Sequence, residues 1–232
     1  RHARGLTRTG WLTSHHTFSF GSFNDPLRMG FRALRVVNED VIAGGSGFAE
    51  HAHEHFEIMT TVLSGSLEHT DSVGHAGTLH GSDVQLISSG SGVRHAERNP
   101  SADVPVHLFQ FWLHGDADDD PPRYQTLPSG LARGISAYRL IAGPGLTPGL
   151  LTLRSPVWIW AGDLASGDSC EHALNDGRFG WLQVLDGVME AGEAGEAELL
   201  ELRGGDALQL SSVRTVHLRA RTDSRWLWFD LA

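Results

Sequence analysis

An internal repeat constrains this fold more than any other feature. Val62-Leu63-Ser64-Gly65-Ser66-Leu67-Glu68 is matched by Val184-Leu185-Asp186-Gly187-Val188-Met189-Glu190, 122 residues later. Gly81-Ser82-Asp83-Val84-Gln85-Leu86 is matched by Gly205-Asp206-Ala207-Leu208-Gln209-Leu210, with Asp83 to Asp206 an offset of 123. Self-similarity at one spacing means one folding unit used twice. Both copies consist of short β-prone runs broken by turn residues, Gly above all (28 of 232). No long amphipathic helical stretch occurs. This is the pattern of a sandwich or barrel. Strands are expected over 31–37, 57–63, 66–71, 84–88, 106–111, 135–141, 157–161, 180–185, 207–211 and 224–230. Gly65 and Gly187 each suit a hairpin turn that needs positive φ. The expected fold is all-β, two copies of one β-sandwich or barrel in one chain. The acidic, proline-ending segment 116–122 reads as the linker, which sets domains of 1–120 and 121–232. A Gly- and Pro-rich loop is expected over 142–149.

Composition excludes several classes. Hydrophobic residues make up 40%, with 10 Phe and 7 Trp, enough for two cores. The formal charge is −10, with no block of basic residues, which argues against nucleic acid or an anionic membrane as partner. No apolar run reaches the ~18 residues of a spanning helix. The single Cys170 allows no intramolecular disulfide. With no secretory signal visible, a reducing, cytoplasmic location is expected. All 18 basic residues are Arg, so a phosphate loop ending in Gly-Lys-Ser/Thr is absent. Gly90-Ser91-Gly92 precedes an expected strand, so Ser91 is turn, not nucleophile.

The chemistry concentrates in Gly47-Phe48-Ala49-Glu50-His51-Ala52-His53-Glu54-His55-Phe56-Glu57 and, later, His95-Ala96-Glu97. Residues i and i+2 of a strand share a face. Adjacent strands carrying His51/His53 and His95/Glu97 would bring three imidazoles and one carboxylate together. That set suits a divalent transition metal: iron(II) foremost, or nickel, copper, manganese, cobalt or zinc. Four ligands on an octahedral ion leave open positions, as catalysis requires. His55 and Glu57 share the same strand parity and compete for places. A strand rises ~3.3 Å per residue, so Glu57 would lie ~20 Å from His51; Glu97 needs no such reach. Adding 122 to the four positions gives Ala173, Asn175, His217 and Arg219, so one site is expected, in the first half. His172 falls one residue out of register and would face the other side.

Taken together, Gly47-Phe48-x-x-His51-x-His53-x-x-x-Glu57, Glu68-His69-x-Asp71-Ser72-x-Gly74 and Gly90-x-Gly92-x-x-His95-x-Glu97 resemble the pirin family of the cupin superfamily. Trp11-Leu12, His16-Thr17-Phe18-Ser19-Phe20, Asp25-Pro26 and Leu34-Arg35-Val36-x-Asn38-Glu39-Asp40-Val41-Ile42 resemble its bacterial branch. The likeness is dense over 10–115 and looser beyond, where Trp181-x-Gln183-Val184, Gly187 and Phe229-Asp230-Leu231 still fit. The resemblance implies two stacked cupin jelly-roll barrels, with metal ligands His51, His53, His95 and Glu97 in the first. It implies cleavage of flavonols such as quercetin by dioxygen (quercetin 2,3-dioxygenase type); for that reaction Glu97 is expected to serve as ligand and, by partial release, as the catalytic base. Phe48, Met59, Phe109, Phe111 and Trp112 are candidate pocket walls, against ordinary barrel core as the stronger reading for each taken singly. Animal pirins act instead as iron-dependent transcriptional co-regulators, so the alternative is a metal- or redox-sensing regulator acting through a protein partner. Two departures stand out: Ala52 replaces the Pro usual between the histidines, and His55 stands where Gly or Asp is common.

Overall fold

A computed structural model describes residues 2–115, 120–134, 138–196 and 198–232. These contain strands, turns and loops and no helix, hence none long and apolar enough to cross a membrane. The chain forms two compact units, His2–Gly130 with Leu153–Ser155, and Leu131–Thr152 with Pro156–Ala232. Of the expected linker, residues 116–119 lie outside the described residues, as do 135–137 of the expected strand 135–141.

The N-terminal unit holds β1 (Gly5–Arg8), β2 (Leu12–His16), β3 (Leu34–Ile42), β4 (Gly47–His53), β5 (Phe56–Ser64), β6 (Ser66–Asp71), β7 (Ala76–His80), β8 (Val84–Ser88), β9 (Val93–Arg98), β10 (Val106–His114) and β11 (Arg123–Leu127). They form a seven-stranded sheet, β1-β2-β3-β10-β5-β8-β11, and a four-stranded sheet, β4-β9-β6-β7. β11 pairs with β8, which keeps residues past 120 in this unit. Leu12, Ile42, Val62, Val106 and Leu108 of the large sheet pack on Leu67 and Leu79 of the small one. That apolar layer closes the sandwich at one end, as sheet-on-sheet packing requires. β4 can lie tight on β9 only because residue 47 is Gly: a Cβ there would sit 2.2 Å from the Glu97 carbonyl oxygen.

The C-terminal unit repeats the plan. It holds β12 (Tyr138–Pro144), β13 (Leu151–Leu153, its last residue counted with the N-terminal unit), β14 (Trp158–Leu164), β15 (Ser169–Ala173), β16 (Phe179–Asp186), β17 (Val188–Glu193), β18 (Leu200–Arg203), β19 (Ala207–Leu210), β20 (Thr215–Ala220) and β21 (Ser224–Leu231). Its sheets are β13-β12-β14-β21-β16-β19 and β15-β20-β17-β18. Trp226 and Trp228 are fully buried in its core. Gly162 makes room for Trp226: a Cβ there would fall 2.0 Å from the indole.

Two expected boundaries shift. The strand expected at 31–37 is β3, beginning at Leu34, because Arg32 takes φ 53° and Phe31 bridges Leu34 in a turn. β12 runs into the expected loop, to Pro144, because Tyr138–Ala142 pairs with β14. Gly65 and Gly187 have φ of 80° and 85°, as their hairpin places demand.

Candidate metal centre

Three neighbouring strands of the small sheet bring the expected residues together. β4 pairs with β9 so that His51 opposes His95, and β9 pairs with β6 so that Glu97 opposes His69 and His95 opposes Asp71. One ligand-capable atom from each of His51, His53 and His95 lies within 4.8 Å of the others. The same holds for His69, His95 and Glu97. His53, His69, His95 and Glu97 are buried, and His51 is partly buried.

The hydrogen bonds fix which ring nitrogens are free. His51 Nδ1 lies 2.8 Å from the Ala49 carbonyl, which can only accept, so Nδ1 carries a proton and the neutral ring has its lone pair on Nε2. His69 Nε2 lies 3.2 Å from the Asp71 carboxylate and donates to it. In the neutral ring His69 Nδ1 is then an acceptor, and it faces His95 Nδ1 at 3.5 Å. His95 therefore carries its proton on Nδ1 and keeps Nε2 free. Asp71 is itself held by the backbone N–H of Val73 and His75 and by His75 Nδ1. Its carboxyl, which burial would raise, is held at about 2 by those bonds and by His69.

Burial, reinforced by the neighbouring imidazoles, pushes His53 down to about 4 and His95 down to about 3. Both are neutral at pH 7, the form that ligates. Their Nε2 atoms are buried with no hydrogen-bond partner among the described residues. A buried polar atom without a partner is costly. A divalent cation accepting these lone pairs would remove that cost, so the residues fit a transition metal.

Glu97 is held from the opposite sheet. His16, Asn38, Gln110, Thr60 and Gln85 lie in one row across β2, β3, β10, β5 and β8. Gln85 Nε2 donates to Glu97 Oε1 at 2.9 Å, and Gln110 Nε2 to Oε2 at 3.0 Å. Gln110 Oε1 in turn accepts from Trp112 Nε1 at 2.8 Å. A carboxylate has about four acceptor sites, so each oxygen of Glu97 retains one for a cation or a substrate proton.

A cavity of about 580 Å³ opens beside His51, Glu97 and Gln110. Trp11, Phe20, Phe48 and Trp112 give it aromatic walls, and Ser14 and Asp40 also line it. This is the size and character of a site for a small organic molecule. Burial pushes the Asp40 carboxyl up to about 7 against a hydrogen bond from Ser14.

Among the expected wall residues, Phe48 and Trp112 line this cavity, but Met59, Phe109 and Phe111 do not. They are fully buried on the other face of the large sheet, because inward parity belongs to Thr60, Leu108, Gln110 and Trp112. Glu57 also lies on that other face, is 1% exposed and accepts from Ser88 Oγ at 2.9 Å. It belongs to neither ligand group. His55 also stays out: with φ 59° it turns the chain from the small sheet into the large one. That turn breaks the strand parity running from His51 to Glu57. Missed in the sequence were His69, Gln85, Gln110 and Asp40; of these, only His69-x-Asp71 repeats the spacing that marks the other pairs.

In the C-terminal unit the expected register of His172 is corrected. His172 is buried among Tyr138, Trp160 and Trp228, while His217 and Arg219 fall on the outer face of β20. The repeat offset is not constant across the loops, and a one-residue change reverses the face. The inward residues of β20 are Val216, Leu218 and Ala220. No group of three ligand side chains occurs in this unit among the described residues.

Comparisons with known proteins place the fold in a family. Residues 1–113 match the family model described as Pirin, and residues 140–231 match the quercetinase C-terminal cupin domain. The chain is 34% identical over 228 residues to the quercetin 2,3-dioxygenase of Escherichia coli K12, covering 98% of this chain and 95% of that protein. It is 34% identical over 209 residues to a pirin-like protein of Caulobacter vibrioides, covering 89% and 88%. It superposes with a TM-score of 0.91 on the bacterial pirin YhhW of Escherichia coli in complex with nickel(II), at 34% identity, covering 99% of this chain and 96% of that one.

Proposed function

The chain belongs to the pirin family of the cupin superfamily, and from that premise we propose that it is a metal-dependent dioxygenase that opens flavonols such as quercetin. The N-terminal unit is the catalytic domain and the C-terminal unit a structural one in this reading. His51, His53, His95 and Glu97 hold the metal, with iron(II) first and nickel(II) as the alternative. A cytoplasmic location fits the lone Cys170. The observation that carries the reading is the pair of unpartnered, buried Nε2 atoms of His53 and His95 beside an aromatic-walled cavity.

When bound, the metal supplies Lewis acidity that lowers the pKa of a substrate hydroxyl and a site for dioxygen chemistry. The remaining work falls to side chains. Trp11, Phe48 and Trp112 take the flat aromatic rings and exclude water. Glu97 is oriented by Gln85 and Gln110, and one of its oxygens receives the substrate hydroxyl proton as general base. The amides keep that oxygen in place as the proton arrives, so no reorganisation accompanies the transfer.

The test is anaerobic loading with Fe(II) or Ni(II), confirmed by metal analysis, then addition of quercetin and air. Loss of flavonol absorbance with release of carbon monoxide is the expected result. A metal-replete protein that does neither overturns the proposal.

A further inference from the structure

The cavity has two polar poles, and the proposed function uses only one. His51, Glu97 and Gln110 form the first. Asp40 forms the second. It sits on β3 opposite Ser14 of β2 and Leu108 of β10, one row away from the row that holds Glu97. It is 3% exposed. Ser14 donates to its carboxyl group, yet Oδ1 has no hydrogen-bond partner among the described residues. No Arg among the described residues lines this cavity. The neighbouring His16 is occupied at both ring nitrogens: Nδ1 bonds Asn38 at 2.8 Å and Nε2 bonds Thr7 at 2.9 Å. A buried acceptor left open in an apolar wall is costly, and a ligand donor would satisfy it.

The donor's chemistry follows from the surroundings. Trp11, Phe20, Phe48 and Trp112 favour a flat aromatic body. A phenolic hydroxyl on such a body delivers one proton donor without bringing a second charge out of water. We propose that Asp40 determines specificity, its open carboxyl oxygen accepting a hydrogen bond from an outer-ring hydroxyl of a polyhydroxylated aromatic substrate whose other end reaches His51 and Glu97. This rests on the flavonol reading above and adds a demand to it. Hydroxyls remote from the reacting ring contribute to binding, through Asp40 and not through the metal.

The experiment is an anaerobic binding titration on nickel-loaded protein, wild type and Asp40→Ala, with two ligands. Quercetin carries outer-ring hydroxyls; 3-hydroxyflavone carries only the hydroxyl of the reacting ring. Removing Asp40 widens the cavity, so a loss of affinity is not steric. The expected result is a weakening of quercetin by about tenfold or more, with 3-hydroxyflavone within about twofold. Equal effects on both ligands, or none on either, overturn the proposal. A wild-type protein that binds neither ligand overturns the flavonol reading itself, a separate outcome. Should Asp40→Ala not fold, an anaerobic crystal structure of the wild type with quercetin decides. A ligand oxygen within about 3.2 Å of Asp40 is expected, and Asp40 bonded to Ser14 alone overturns it.

Discussion

His95 Nδ1 lies 3.5 Å from His69 Nδ1, and the direction of that contact is set one residue further out, at Asp71. The carboxylate accepts a hydrogen bond from His69 Nε2–H, so His69 Nδ1 accepts and His95 Nδ1 donates. The free Nε2 of His95 is thus a consequence of Asp71, two side chains away. Outer partners of metal-binding histidines typically contribute 10–100-fold to affinity. His69→Leu is expected to weaken Ni(II) binding in that range, measured by competition with a chelator. Unchanged affinity in a folded variant would show that His95 needs no orienting partner.

The two buried glutamates make opposite predictions. Glu97 faces the imidazoles and bonds Gln85 and Gln110; Glu57 bonds Ser88 on the other face of the large sheet. Glu97→Gln is expected to cost more metal affinity than any outer-shell change, beyond the ~10–100-fold range. Glu57→Gln is expected to leave metal content at wild-type stoichiometry. Metal analysis after dialysis against a weak chelator separates them. The reverse order would assign the carboxylate ligand to Glu57 and remove Glu97 from the proposed mechanism.

How far the site could be read from sequence depended on how local each signal was. His51/His53 and His95/Glu97 are i, i+2 pairs, and strand geometry alone puts each pair on one face. The third such pair, His69-x-Asp71, has the same spacing, yet its role depends on Asp71 being anchored by a turn at Val73–His75. Asp40 lies in the run that carries the family resemblance and Gln85 in the internal repeat, but neither they nor Gln110 form an i, i+2 pair of ligand types. They meet the site through register across five strands, which pairing decides and spacing along the chain does not. The repeat showed the all-β plan and its two-fold use. It misplaced His172 because parity survives only while the offset stays constant, and intervening loops change it.

Acid stability should carry the mark of Glu39. Burial would raise its carboxyl, but hydrogen bonds from His107 at 3.0 Å and Arg4 at 2.7 Å outweigh that and hold it at about 2. Its folded pKa lies below the ordinary value of 4.5. The stabilisation is therefore fully present above pH ~4.5 and is lost as pH falls through about 2. Urea midpoints for wild type and Glu39→Gln should differ at pH 6 and converge between about pH 4.5 and 2. Any loss of metal in acid affects both proteins and cancels in the difference. A gap that persists at pH 2 would trace the effect to packing instead of charge.

His55 offers a test of backbone strain near the proposed site. Its φ of 59° is left-handed, a conformation that costs an L residue ~1–2 kcal/mol. Its Nδ1 is also buried without a partner among the described residues. Glycine adopts this φ freely but gives back ~0.5–1 kcal/mol through the greater freedom of the unfolded chain. The balance favours glycine: His55→Gly should stabilise the protein by ~0.5–1 kcal/mol, read as a higher urea midpoint at unchanged slope. Because His55 lies outside both ligand groups, nickel affinity should not change. A fall in affinity alongside the gain in stability would mean that His55 supplies something to the metal, and the left-handed turn would then be strain kept for function.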